Sequence, residues 1–385
     1  MARFLFVVPP LVGHVNPTVG VGHELASRGH KVAWAGHASA VKPLLPGDAD
    51  LLAIEAHVSA EKLDELVGRA RTVRGLEAFK FLWDDFFLPL ARAMRPGVEA
   101  AIERFEPSVL VVDQQAVGGA LAARRRGLPW ATFATTSAGV GDALAGLPRV
   151  RAWLAERLAE LEREAGLAAV AEPDVSPHLV VAFSTAALAG AVDRYPAHVR
   201  FVGPSFARRP QPAPFPWEAL RPGPRVLVSL GTVNAHTGGR FYAATLEALG
   251  GGPVQVILAA PPELVGAVPD NVLCRARVPQ VDLLPHVQAV VCHGGHNTVC
   301  EALAHRLPLV VAPIKDDQPI VAQQVVEAGA GLRLKFGRVT PADIKDAVGR
   351  VLHEPAFRDA AARIQASFAE AGGERRAADL LEALV

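Results

Sequence analysis

Residues 289–313 read AVVCHGGHNTVCEALAHRLPLVVAP. The two short runs AVVC and LPLVVAP are apolar on both faces, as strands covered from both sides require. Gly294 and Gly295 break the first run, and TVCEALAHRL carries helical spacing that stops at Pro308. Strand, turn, helix and strand in this order form the unit of parallel sheets with right-handed crossovers.

The same alternation extends in both directions. Upstream, RFLFVV (3–8), KVAWAG (31–36), SVLVVD (108–113), PWATFA (129–134), LVVAFS (179–184), RVLVSL (225–230) and VQVILA (254–259) read as strands separated by helix-like stretches. With 385 residues, half of them hydrophobic, the chain is long enough for two such domains. The stretch 205–224, SFARRPQPAPFPWEALRPGP, has no helix or strand period and reads as a semi-rigid linker. The expectation is an α/β fold of two Rossmann-like, doubly wound domains, 1–204 and 225–355, with a ligand cleft between them. A helical, Ala-rich segment, 356–385, is expected to pack back on the first domain.

Composition excludes several functions. Lys+Arg and Asp+Glu both number 39, so no charge excess points to nucleic acid or to an anionic membrane. Three cysteines, Cys274, Cys292 and Cys300, with no C-x-x-C pair argue against disulfides and a zinc site, and fit a cytoplasmic setting. The N-terminal apolar run lacks a cleavage site and reads as a first strand rather than a signal peptide, and no run is long enough to span a membrane. No strand is followed by G-x-G-x-x-G, which removes a dehydrogenase reading.

Ligand sites of doubly wound domains lie at the carboxyl ends of strands. In the second domain the Gly294-Gly295 turn lets a backbone approach closely, and the helix start after it suits a phosphate. Glu301, a turn further on, is able to take ribose hydroxyls. The pair Thr298 and Glu301 also fits a capping box, which needs no ligand. In the first domain His14 follows the first strand and sits at or just before a helix N-terminus, with Pro17 in its first turn. That position favours a neutral imidazole, the form a general base needs. Asp113 ends a later strand of the same sheet, on the same edge, where it would fix the His14 tautomer. Helix and loop capping are the plainer roles for the two.

His293-Gly-Gly-x-Asn-Thr…Glu301, preceded by Val278-Pro279-Gln280…Leu284-Pro285-His286 and followed by Pro313…Asp317-Gln318, resembles the donor signature of UDP-dependent glycosyltransferases. The similarity is to the bacterial branch that glycosylates antibiotics and other natural products. The resemblance implies the GT-B fold and inverting, metal-independent transfer from a UDP- or TDP-linked sugar. It gives Gln280 the base pocket, the Val281 backbone the uracil edge, and Glu301 the ribose. His293 and Thr298, with backbone N–H groups near Asn297 and the Gly295 turn, hold the diphosphate. Gly231 and Thr232 match the loop beside the β-phosphate, and Asp317 and Gln318 meet the sugar hydroxyls. The family's base and its supporting carboxylate correspond to His14 and Asp113. His296 stands where the plant branch has Trp, and Val321 replaces a frequent Asn.

Five aromatics cluster in EAFKFLWDDFFLPLARAM (77–94), where Phe79, Trp83 and Phe87 are candidates for an acceptor pocket, core packing being the alternative. Asp48-Ala49-Asp50 resembles a metal-binding D-x-D but lies outside the signature, so no metal and no cofactor is expected; the nucleotide sugar is a co-substrate. The expected partners are that donor and a small apolar acceptor, with a monomer or homodimer and no stable membrane insertion. Three other readings stay open: C-glycosyl transfer, nucleotide-sugar epimerisation, and non-catalytic binding of a sugar nucleotide.

Overall fold

The computed structural model describes all residues except 56–64, 66, 67, 70–72, 74, 137–139, 141–143, 145, 194 and 207–213, and only the backbone of Thr232 and Val233. The chain forms two compact units. The first comprises Met1–Phe183, Asp193–Pro210 and Ala371–Val385; the second comprises Ser184–Val192 and Gln211–Glu370.

The first unit is a seven-stranded sheet: β1 (Arg3–Val7), β2 (Lys31–Gly36), β3 (Asp50–Ala53), β4 (Val109–Asp113), β5 (Trp130–Ala134), β6 (Val180–Ala182) and β7 (Val199–Phe201). Their order is β3-β2-β1-β4-β5-β6-β7, every pair parallel. Alternation along β1 divides the core. Phe4 and Phe6 face the helices Val12–Ser27 and Gly373–Glu382, while Leu5 and Val7 face Leu88–Phe105 and Val117–Arg126. Both faces are covered, which is why these strands read as unbroken apolar runs.

The second unit repeats the plan with β8 (Arg225–Ser229), β9 (Gln255–Ala259), β10 (Val272–Arg275), β11 (Ala289–Cys292), β12 (Leu309–Val311) and β13 (Gly331–Arg333). Their order is β10-β9-β8-β11-β12-β13, again all parallel. Helices His296–Ala304, Gln318–Glu327 and Pro355–Ala371 cover one face; Gly239–Leu249 and Pro341–His353 cover the other.

The path of the chain differs from two halves joined by one linker. Ser184–Val192 belongs to the second unit because Leu188 is buried in that unit's core. The described ends of the Pro-rich stretch are tied down as well. The Ser205 hydroxyl donates to the Pro17 carbonyl at 2.8 Å. Phe215 and Leu220 pack on the second core, and Gln255 clamps the backbone of Ala219 and Arg221. The segment 356–385 is not one piece: Pro355–Ala371 lies almost wholly in the second unit, and Gly373–Glu382 returns to the first. Among the described residues no helix is long and apolar enough to cross a membrane.

Candidate active site

In the first sheet, strand order reverses between β1 and β4, and a crevice at the carboxyl ends of such strands is where doubly wound domains take ligands. His14 follows β1, Asp113 ends β4, and Thr135 follows β5. The helix here begins at Val12, so His14 is its third residue and Pro17 lies in the second turn. Packing carries the helix upstream of Pro17: Val15, one turn before Val19, is buried in the same apolar cluster. His14 Nδ1 lies 2.9 and 3.0 Å from the two oxygens of Asp113 and 2.8 Å from Thr135 Oγ1. The Thr135 hydroxyl donates to Asp113 Oδ2 at 3.0 Å, and the Gln115 N–H donates to Oδ1 at 2.8 Å. The Asp113 side chain is fully buried, and that of His14 is 15% exposed.

In the second sheet the corresponding reversal falls between β8 and β11. Gly231 stands two residues past β8 and His293 directly past β11. A Cβ on Gly231 would meet the His293 ring at 2.7 Å and one on Gly295 would meet it at 2.5 Å, so the two glycines make the slot that holds the imidazole. Gly231 and Gly294 have positive φ, at 71° and 89°. Burial pushes His293 down to about 4, against opposing pulls from the Asp317 charge and the Ser229 backbone. Its Nδ1 is buried with no partner in hydrogen-bonding geometry. At neutral pH the imidazole is therefore uncharged.

The helix after it starts at His296, with Gly295 as its cap and no side-chain cap. Thr298 thus lies inside the first turn rather than at the cap, and the Thr298–Glu301 capping box does not form. A helix N-terminus carries a partial positive charge of the kind that suits an anion. Glu301 instead accepts from Gln280 Nε2 at 2.6 Å, and the same amide reaches Thr298 Oγ1 at 3.4 Å. Val281, next to Gln280 on a short helix, has an exposed side chain. Asp317 precedes the helix Gln318–Glu327, and the buried Gln318 accepts from the Ile314 and Lys315 N–H groups through Oε1. The side chain of Thr232 lies outside the described residues. The candidate residues thus fall into two groups, each described within its own unit: His14 and Asp113 in the first, and the signature residues in the second.

Residues 244–384 match a family described as erythromycin biosynthesis protein CIII-like, C-terminal domain. The chain is 32% identical to 4'-demethylrebeccamycin synthase of Lentzea aerocolonigenes, over 100% of both proteins. The chain belongs to the antibiotic glycosyltransferases. It is 30% identical to demethyllactenocin mycarosyltransferase of Streptomyces fradiae, over 100% of this chain and 87% of that one. A structure of glycosyltransferase VinC in complex with DTDP shares the fold, with a TM-score of 0.76 at 22% identity over 99% of each chain. The two parallel-sheet units are those of GT-B enzymes.

Phe79, Trp83 and Phe87 form a ladder, Phe79 to Trp83 at 6.5 Å and Trp83 to Phe87 at 5.4 Å, which Trp153 extends at 6.4 Å from Phe79. Phe87 is buried, while Phe79 and Trp83 are half-buried, so the ladder is core at one end only. A π-turn, Leu82–Phe87, carries the last rungs; such turns collect at functional sites. Asp50 opens β3, at the amino end of a strand and the edge opposite to His14. Sequence reasoning missed Thr135, which obeys the strand-end rule but has no ionisable group. It also missed Asp316, a non-glycine residue at φ 57° beside Asp317.

Proposed function

We propose that this glycosyltransferase transfers a sugar, with inversion, from a UDP- or TDP-linked donor to a hydroxyl of a small apolar acceptor. The reading rests on one observation: His14 Nδ1 faces a fully buried carboxylate. Nδ1 then carries the proton, and Nε2 is the atom that takes one from the acceptor. As the acceptor oxygen bonds the anomeric carbon, the bond from that carbon to the diphosphate breaks, and a single displacement inverts the centre. The helix start at His296, the neutral His293 and Thr298 receive the charge of the leaving diphosphate. Glu301 and Gln280 take the ribose and base pocket, with the Val281 backbone at the base edge, and Asp317 and Gln318 take the sugar hydroxyls. The DTDP bound by VinC supports a nucleoside diphosphate of this kind. The half-buried face of the Phe79–Trp83–Phe87 ladder would meet a flat or greasy acceptor. The reaction uses no metal or cofactor, and the setting is the cytoplasm.

Three measurements test the reading. A nucleoside diphosphate at about 100 times its dissociation constant adds about 2.7 kcal/mol of stability. UDP or TDP should therefore raise Tm where NAD does not. His14→Ala should abolish transfer and keep that shift; full transfer by the variant sinks the base assignment. Rates unchanged by EDTA are expected.

A further inference from the structure

Three donors converge on one buried carboxylate: the His14 ring, the Thr135 hydroxyl and the Gln115 N–H, all at 2.8–3.0 Å from Asp113 or its partner ring. Thr135 touches both members of the pair and is 3% exposed. We infer that Thr135 is a positioning residue that locks His14 in the tautomer with its proton on Nδ1. The inference rests on the proposed role of His14 and adds a group through which that role is set.

A neutral imidazole carries one N–H, on either nitrogen. A hydroxyl has one proton to give, and here it goes to Asp113 Oδ2. What Thr135 turns toward His14 Nδ1, 2.8 Å away, is then a lone pair. Nδ1 faces two carboxylate oxygens and this hydroxyl oxygen, all acceptors, so it has to be the nitrogen that bears hydrogen. The opposite tautomer would set the Nδ1 lone pair against three oxygens. It would become tolerable only if Thr135 turned its proton to Nδ1, which strips Asp113, a carboxylate with no exposed surface, of one of its donors. Thr135 thus couples the ionised state of Asp113 to the bare state of Nε2. When Nε2 takes the acceptor's proton, the Nδ1–H bond to Asp113 is already in place and nothing need reorient.

Thr135→Val keeps the volume and removes the hydroxyl; Thr135→Ser restores it. Histidine-selective ¹⁵N labelling reads the tautomer directly, without any substrate, the His14 signal among 13 histidines being assigned by its loss in His14→Gln. In wild type and Thr135→Ser, Nδ1 should be the protonated nitrogen and Nε2 the bare one. In Thr135→Val, where Asp113 alone still faces Nδ1, the share of the Nδ1–H tautomer should fall measurably below that of wild type. With a simple phenol as probe acceptor and UDP- or TDP-glucose as donor, kcat of the Val variant should fall about ten- to a hundredfold, the size of one hydrogen bond to a charged group. Donor and acceptor KM should stay within about twofold, and Ser should recover most of the rate. An unchanged tautomer in Thr135→Val overturns the inference. So does a rise in donor KM at constant kcat, which would make Thr135 a sugar contact instead. If the Val variant fails to fold, Thr135→Ala carries the same readouts. Active His14→Ala would sink the base assignment separately, whatever the tautomer shows.

Discussion

His293 is held as a neutral ring in a slot that two glycines leave open, and this has consequences for stability. Its proton affinity is lowered to about 4, from roughly 6.5 in an unfolded chain. Between those values the unfolded state binds the proton and the folded state does not. Stability from this residue is therefore complete above about pH 6.5 and is lost as pH falls toward 4. The loss amounts to roughly 3 kcal/mol for a shift of this size. His293→Gln should flatten that part of the curve. Urea unfolding of both proteins at pH 7 and pH 4.5 measures it, and parallel losses would refute the assignment. The slot itself is tested by Gly295→Ala. Gly295 has an ordinary φ of −62°, so the backbone accepts alanine, but the new methyl would sit 2.5 Å from the ring nitrogen with Gly231 closing the other side. We expect a small change in Tm and at least tenfold weaker UDP or TDP binding by calorimetry, about the 1.4 kcal/mol that separates a seated from a displaced hydrogen-bond donor. His14, Asp113 and His293 were visible in the sequence because an ionisable side chain directly after an apolar run is rare. Thr135 stands in the same kind of place, yet a threonine after a strand is too common to notice.

Strand visibility followed position in the sheet. Each of the four strands not read from the sequence, β3, β7, β10 and β13, is an edge. An edge strand is half covered, and DLLA, VRF, VLCR and GLR are short and interrupted by exposed or half-exposed residues. The inner strands β4 and β5 are buried at every position and read without difficulty. Helix starts divide in the same manner. The spacing Thr-x-x-Asp at Thr340 and Asp343 forms a true capping box, whereas the Thr298–Glu301 spacing does not, since its helix opens two residues earlier. Thr340→Ala should then cost about 1 kcal/mol of stability. Thr298→Ala should cost less than half of that and instead weaken nucleotide binding. Denaturant unfolding with nucleotide titration on both variants separates the two kinds of helix start; equal losses of stability would restore capping at Thr298.

The division of the chain between its units was the least legible feature, because the crossing into Ser184–Val192 carries no compositional mark like that of the Pro-rich stretch. Ser184–Val192 is no richer in Gly or Pro than many loops, and its membership is decided by where Leu188 finds an apolar cluster. The last crossing, near Ala371, is decided the same way. Ala377, Ala378 and Leu381 complete the core beneath β1, and Arg28 ties the helix down through Asp379 and Glu382 at 2.7 and 2.8 Å. The exposed ion pairs contribute little, so the buried leucine is the anchor. Leu381, with no exposed surface, should cost about 2–5 kcal/mol when cut to alanine. That cost falls on the unit that contains His14, whereas the residues proposed to hold the nucleotide belong to the other unit and its separate cores. Leu381→Ala should therefore lower Tm by several degrees while the UDP or TDP dissociation constant at 20 °C stays within about twofold, a change of under 0.5 kcal/mol. A matching loss of nucleotide affinity would mean that the C-terminal helix supports the donor site as well as the core it visibly completes.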